Sequence, residues 1–142
     1  MTAGKWMLAT PLFRRLMTMP TDILTLAKQR VVILDGGMGT SLHKYKPKDT
    51  DWGFGPDGKS LLNLSDALVY THPEWIEEIH DGFFAAGCDA IETNTFNGSK
   101  IGLGEFSLTA QLEEINRFNI QIAKKSAAKF ATNSRRNGGP ST

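Results

Sequence analysis

The strongest constraint on this chain is a short run without a single polar residue, Val31-Val32-Ile33-Leu34, which stops at Asp35-Gly36-Gly37. A branched aliphatic run with no alternation reads as a strand buried on both faces, as in a parallel sheet. A second short strand is expected at Asp89-Ala90-Ile91-Glu92-Thr93-Asn94-Thr95-Phe96, closed by an Asn97-Gly98 turn. A helix is expected between the two. Thr71-His72-Pro73-Glu74 has the form of a capping box, with Thr71 as cap. Trp75, Ile76, Ile79, Phe83 and Phe84 then recur at helical spacing, and Gly87 stands where a left-handed C-terminal cap belongs. Strand, helix, strand predicts a parallel pair joined by a right-handed crossover. The fold class expected is α/β, with about two parallel strands and flanking helices.

The remaining segments attach to this unit. Thr21 reads as the cap of a short helix carrying Ile23, Leu24 and Leu26 and ending at Lys28. Met38 to His43 suits a helical turn. Residues 44–59 read as a surface loop that Trp52 and Phe54 pack onto the body, and Leu61, Leu62 and Leu64 return the chain to the core. From about Thr109 another helix presents Leu112, Ile115, Phe118, Ile122 and Ala123 on one face and runs toward Phe130. Residues 1–20 are expected to be a disordered extension, residues 21–132 the domain, and residues 133–142, which hold no apolar side chain, a disordered tail. Two parallel strands alone leave edges and faces uncovered. The missing strands are therefore expected from a longer gene product.

Charge and cysteine content exclude several functions. Against 16 Lys and Arg stand 15 Asp and Glu, so a net charge of +1 gives no footprint for nucleic acid or for a charged membrane surface. The single cysteine excludes an intrachain disulfide and any zinc site built on several cysteines of this chain. No apolar run approaches the 18 or so residues of a membrane span. No small-residue cleavage site follows the first apolar stretch. A cytoplasmic location is expected.

In parallel α/β architectures functional groups sit at the carboxyl ends of the strands. Two such ends fall here, at Asp35-Gly36-Gly37-Met38-Gly39 and at Glu92-Thr93-Asn94. A carboxylate at Asp35 can pair with an ammonium group. Gly36 and Gly37 let backbone N–H groups come close to an anionic group, and Thr93 adds an N–H and a hydroxyl. Such a rim suits a small zwitterion, with Gly37, Glu92 and Asn94 as possible further members. A tight glycine turn and a buried structural Glu92 are the competing readings of the same residues. The loop is not a dinucleotide fingerprint and lacks the Gly-Lys-Ser/Thr ending of a phosphate loop. Cys88 reads as a small buried residue, His80 as a boundary residue, and Trp75, Phe83 and Phe84 as a packing face. His43, His72 and His80 have no ligand spacing with each other or with Cys88. No catalytic residue and no metal ligand is assigned.

The segments RVVILDGGMGT, from Arg30 to Thr40, and HPEWIEEIHDGFFAAGCDAIETNTFNGSKIGL, from His72 to Leu103, resemble the start of the homocysteine S-methyltransferase domain. That domain occurs in cobalamin-dependent methionine synthase and in betaine–homocysteine methyltransferase, and LDGGMGT with ETNTF is more similar to the former. The resemblance covers about residues 21–132. It implies an eight-stranded β/α (TIM) barrel of which this chain is the N-terminal portion, since a complete barrel takes about 250 residues. It implies homocysteine as partner, held by Asp35, Gly36 and Thr93. In the full-length family a zinc ion on three cysteines from later strands activates the thiol, and those ligands are not in this chain. Cobalamin and methyltetrahydrofolate are implied only for the full-length enzyme. The activity implied is methyl transfer to homocysteine to give methionine, the chain alone being expected to be inactive. The alternative is a non-catalytic truncated fragment with at most amino-acid or partner binding.

Overall fold

The computed structural model describes residues 22–134. The expectations for residues 1–20, for the Thr21 cap and for residues 135–142 lie outside the described residues. The chain divides after Val32 into two units. The described part of the first carries helix α1, Ile23–Ala27. Its cap is Asp22, which accepts the Leu24 N–H at 3.1 Å and the Thr25 hydroxyl at 3.1 Å. None of the α1 residues is buried.

The second unit is built from helices. Met38–Leu42 forms α2 and continues into a 3-10 turn, His43–Tyr45. A second 3-10 turn, Asp49–Trp52, sits in the long loop, and a third, Ser65–Ala67, leads into α3, Leu68–Thr71. Then come α4, Pro73–Ala85, and α5, Lys100–Gly104. A last 3-10 turn, Thr109–Gln111, opens α6, Leu112–Ser134.

The expected pair of parallel strands does not form among the described residues, and with it falls the expected portion of a β/α barrel. What remains is one isolated parallel bridge between Leu34 and Ala90. Its hydrogen bonds run from Asp35 N–H to Ala90 O at 3.2 Å and from Asp89 N–H to Ile33 O at 2.7 Å. Side chains take the neighbouring rungs. The Asp89 carboxylate accepts the Ile33 N–H at 2.9 Å, and the Asp35 carboxylate accepts the Glu92 N–H at 2.9 Å. A parallel ladder would send that Glu92 N–H to a main-chain carbonyl instead. Beyond Glu92 the chain turns, with Thr95 N–H bonded to Thr93 O at 2.8 Å. A sheet needs neighbours on its edges and cover on its faces. Here Ile33 and Leu34 are 55% and 52% exposed, where the sequence led us to expect burial.

The long helices formed as their periodicity required. α4 and α6 pack together and run in the same direction. Glu77 pairs with Lys125 at 2.7 Å, Asp81 pairs with Lys129, and Phe84 stacks on Phe130 at 5.7 Å, so both chains advance together. One apolar cluster joins Leu42, Trp52, Leu68, Val69, Ile76 and Ile79, with Phe118 and Ile122 of α6 packed against it. A second joins Leu61, Leu64, Ala67, Leu103, Leu108 and Ile115. Burying one such aliphatic side chain contributes about 1.5–3 kcal/mol.

Helix ends differ in detail from the sequence reading. Thr71 is the last residue of α3 and does not cap α4. His72 stands at the N-cap, Pro73 follows at the first position, and the Glu74 carboxylate meets His72 Nδ1 at 2.8 Å. That contact holds the Glu74 carboxyl below its usual range. Gly87 does end α4, at φ +100°, with Cys88 N–H on Phe83 O and Gly87 N–H on Phe84 O. In the long loop Trp52 is buried while Phe54 is exposed. No helix among the described residues is long and apolar enough to cross a membrane.

Candidate functional site

An open cavity of about 820 Å3 lies where the glycine segment after Leu34 meets the segment after Ile91. Asp35, Gly36, Gly37, Glu92, Thr93 and Asn94 all line it. The single bridge at Leu34 and Ala90 is what brings them together, because it sets the two chain segments side by side immediately before the cavity. Asp35 ties the two segments together. Its Oδ1 holds the Glu92 N–H, and its Oδ2 has no hydrogen bond within the described residues. The Thr93 and Thr95 hydroxyls lie 2.8 Å apart. Glu92 is exposed. Asn94 is buried and turned toward the interior, where its amide donates to Ser65 O at 2.8 Å and to Asn119 Oδ1 at 3.2 Å.

Glycine is required unevenly along the first segment. A Cβ at Gly36 would make ordinary contact with the Phe83 ring at 3.5 Å, whereas one at Gly37 would press the Thr40 hydroxyl at 3.1 Å. Among the described residues Asp35 and Glu92 are the charged side chains on the wall, and no Lys or Arg lines it. The site is therefore electrostatically negative and suited to an ammonium group.

Sequence reasoning missed a second part of the wall, formed by Asn63, Ser65 and Asn97. Behind it lies a buried polar network. The Asp66 carboxylate, fully buried, accepts the Asn97 N–H at 2.8 Å and the Asn97 side-chain amide at 3.3 Å. Burial pushes the Asp66 carboxyl up, and the Asn97 donors oppose the shift. Asn119 donates to Asp66 O and to Ile115 O, both at 3.0 Å. One signal for this was present. Asn119 stands on the apolar stripe of α6, four residues after Ile115 and four before Ala123, where an amide has no place unless it has partners.

His80 and Cys88 lie outside the cavity wall. His80 is fully buried, not at a boundary, and neither ring nitrogen has a hydrogen-bond partner. Burial pushes its pKa down, opposed by the charges of Asp35 and Asp81. Cys88 is partly buried, and burial with the nearby Asp35 and Asp89 carboxylates pushes its thiol up. A thiol held protonated is a poor metal ligand. No group of three His, Cys, Asp or Glu among the described residues could hold a metal ion. The residues present do not fit the zinc ion that the resemblance implies for full-length relatives.

The family model for homocysteine S-methyltransferase matches residues 32–139. The chain belongs to the homocysteine S-methyltransferase family. The matched stretch contains both segments that meet at the cavity, together with α4 and the described length of α6. This is a methyltransferase family, and within the matched stretch Asp35 and Thr93 fall on the cavity wall.

Proposed function

We propose that the cavity binds the amino-acid end of homocysteine and that the chain serves methyl transfer to the homocysteine sulfur. The observation that carries this reading is the charge of the wall, two carboxylates and no basic side chain among the described residues. An ammonium group can pair with Asp35 Oδ2 while Oδ1 stays on the Glu92 N–H. Gly36 and Gly37 leave room for the backbone to approach the ligand's carboxylate, and Thr93 offers its hydroxyl. In the transfer the sulfur forms a bond to the methyl group, the donor–methyl bond breaks with its electron pair left on the donor, and the thiol proton passes to solvent. A free thiol, with a pKa of about 8.5, is mostly protonated at neutral pH. Among the described residues no cysteine or histidine lines the cavity to change that. This chain's own residues therefore bind and orient the amino acid. That same feature favours a second reading, amino-acid binding without transfer.

Calorimetric titration of the full chain with L-homocysteine tests the site. Saturable binding is expected, weakened about 10- to 150-fold by Asp35→Asn, because a hydrogen bond to a charged group contributes roughly 1.5–3 kcal/mol. The asparagine keeps an oxygen for Glu92 N–H, so the wall should survive the change. Unchanged affinity would make Asp35 a structural turn residue and end this reading. Methionine formation measured on the same sample separates transfer from binding alone.

A further inference from the structure

The segment Asn94 to Gly98 is held from behind at three points by residues outside the cavity wall, in addition to the bond of the Asn94 amide to Ser65 O. Asn119 of α6 accepts from the Asn94 amide at 3.2 Å. Asn116, one turn earlier on α6, donates to Gly98 O at 3.0 Å. Between them Asp66 takes both the main-chain N–H and the side-chain amide of Asn97. The Asn119 amide also donates to Asp66 O, so the two holds are linked. The fit is close. A Cβ at Gly102 would stand 2.7 Å from Asn97 O, and one at Gly98 would stand 2.3 Å from Asn116 Oδ1.

Stability alone does not account for such a cluster. Buried polar groups contribute little net energy when satisfied and cost much when left unpaired, and apolar side chains of similar shape would fill the space as well. Apolar side chains could not fix the direction of an amide. We infer that Asp66 and Asn119 are positioning residues, which hold Asn97 and Asn94 so that the ligand meets a preformed wall. The inference rests on the proposed ligand site for its purpose, while the rigidity of the wall can be read without any ligand.

Amide hydrogen exchange followed by NMR on the full chain reads the wall directly. In Asp66→Ala the Asn97 amide should exchange at least about tenfold faster than in the wild type, while Ile76 and Ile79 in α4 keep their rates. Asp66→Asn, which keeps an acceptor oxygen, should restore Asn97 exchange to within about threefold. Unchanged Asn97 exchange in the alanine variant, or equal acceleration throughout α4, would overturn the inference. If Asp66→Ala does not fold, Asn119→Ala carries the test at the Asn94 side-chain amide, which then keeps only its bond to Ser65 O and should exchange about threefold faster, and an unchanged rate there overturns it. Homocysteine affinity should fall about tenfold in Asp66→Ala and recover in Asp66→Asn. Wild-type binding with unchanged affinity in a folded alanine variant also overturns it. Absence of wild-type binding would instead end the proposed function, and Asn97 exchange would still decide whether the wall is held.

Discussion

Gly102 shows how narrow the tolerance is at single residues. Its backbone lies against the Asn97 turn so closely that a Cβ would meet Asn97 O at 2.7 Å and Asn97 Cα at 3.0 Å. Both obstacles are main chain, so the turn itself would have to move. Gly102→Ala should destabilise the protein by about 1–3 kcal/mol despite the better helix propensity of alanine. The displaced turn should also weaken homocysteine binding. Chemical denaturation would check the first part, and a midpoint equal to the wild type would show that α5 can shift without cost. The Gly39 position makes a control, since a Cβ there meets nothing within 4 Å. Gly39→Ala should leave the midpoint nearly unchanged.

At the scale of elements, the α4 and α6 pair carries the second unit, and its buried face has one expensive member. His80 on α4 is fully buried with neither nitrogen partnered. Its pKa is pushed down by burial, against the pull of Asp35 and Asp81. The unfolded chain takes up the proton near about pH 6.5, whereas the folded chain resists it. Stability is therefore complete above about pH 6.5 and is lost as pH falls below that value. His80→Leu removes both the titration and the unpaired nitrogens. It should raise stability more at pH 5.5 than at pH 7.5, as read from denaturant midpoints. Equal gains at the two pH values would place the acid sensitivity on other groups. The surface pairs of Glu77 with Lys125 and Asp81 with Lys129 add little beside this, since their lysines are more than half exposed.

For the molecule as a whole, the decisive feature is how much apolar surface the second unit leaves uncovered. Ile33 and Leu34 are more than half exposed, Ile101 is 84% exposed and Phe96 is 94% exposed. Beside them runs main chain that pairs with its neighbour at a single bridge. Exposed apolar groups beside main chain that lacks sheet neighbours favour association with other chains. Sedimentation velocity across a concentration series should show association growing with concentration. Leu34→Lys should reduce it by placing a charge at the bridge. A monomer that stays monomeric at high concentration would show that these side chains are tolerated singly on the surface.

The sequence by itself determined the two long helices. Periodic apolar residues specified α4 and α6, and Gly87 ended α4 through a local preference for positive φ that needs no distant partner. Asp35-Gly36-Gly37 and Glu92-Thr93-Asn94, singled out as short motifs, come to line one cavity. Strand formation was not local in this sense. Val31 to Leu34 has the composition of a buried strand, but strands exist only through neighbours, and the Asp35 and Asp89 carboxylates took the hydrogen bonds that a ladder would have used. Local pattern marked Asn119 as an amide out of place on an apolar stripe, but it could not foresee its partner Asp66 or the Asn97 that Asp66 holds, because these are far apart in sequence. Only tertiary structure decided those, because a buried polar group is stable where its partners are, and periodicity cannot show where partners will lie.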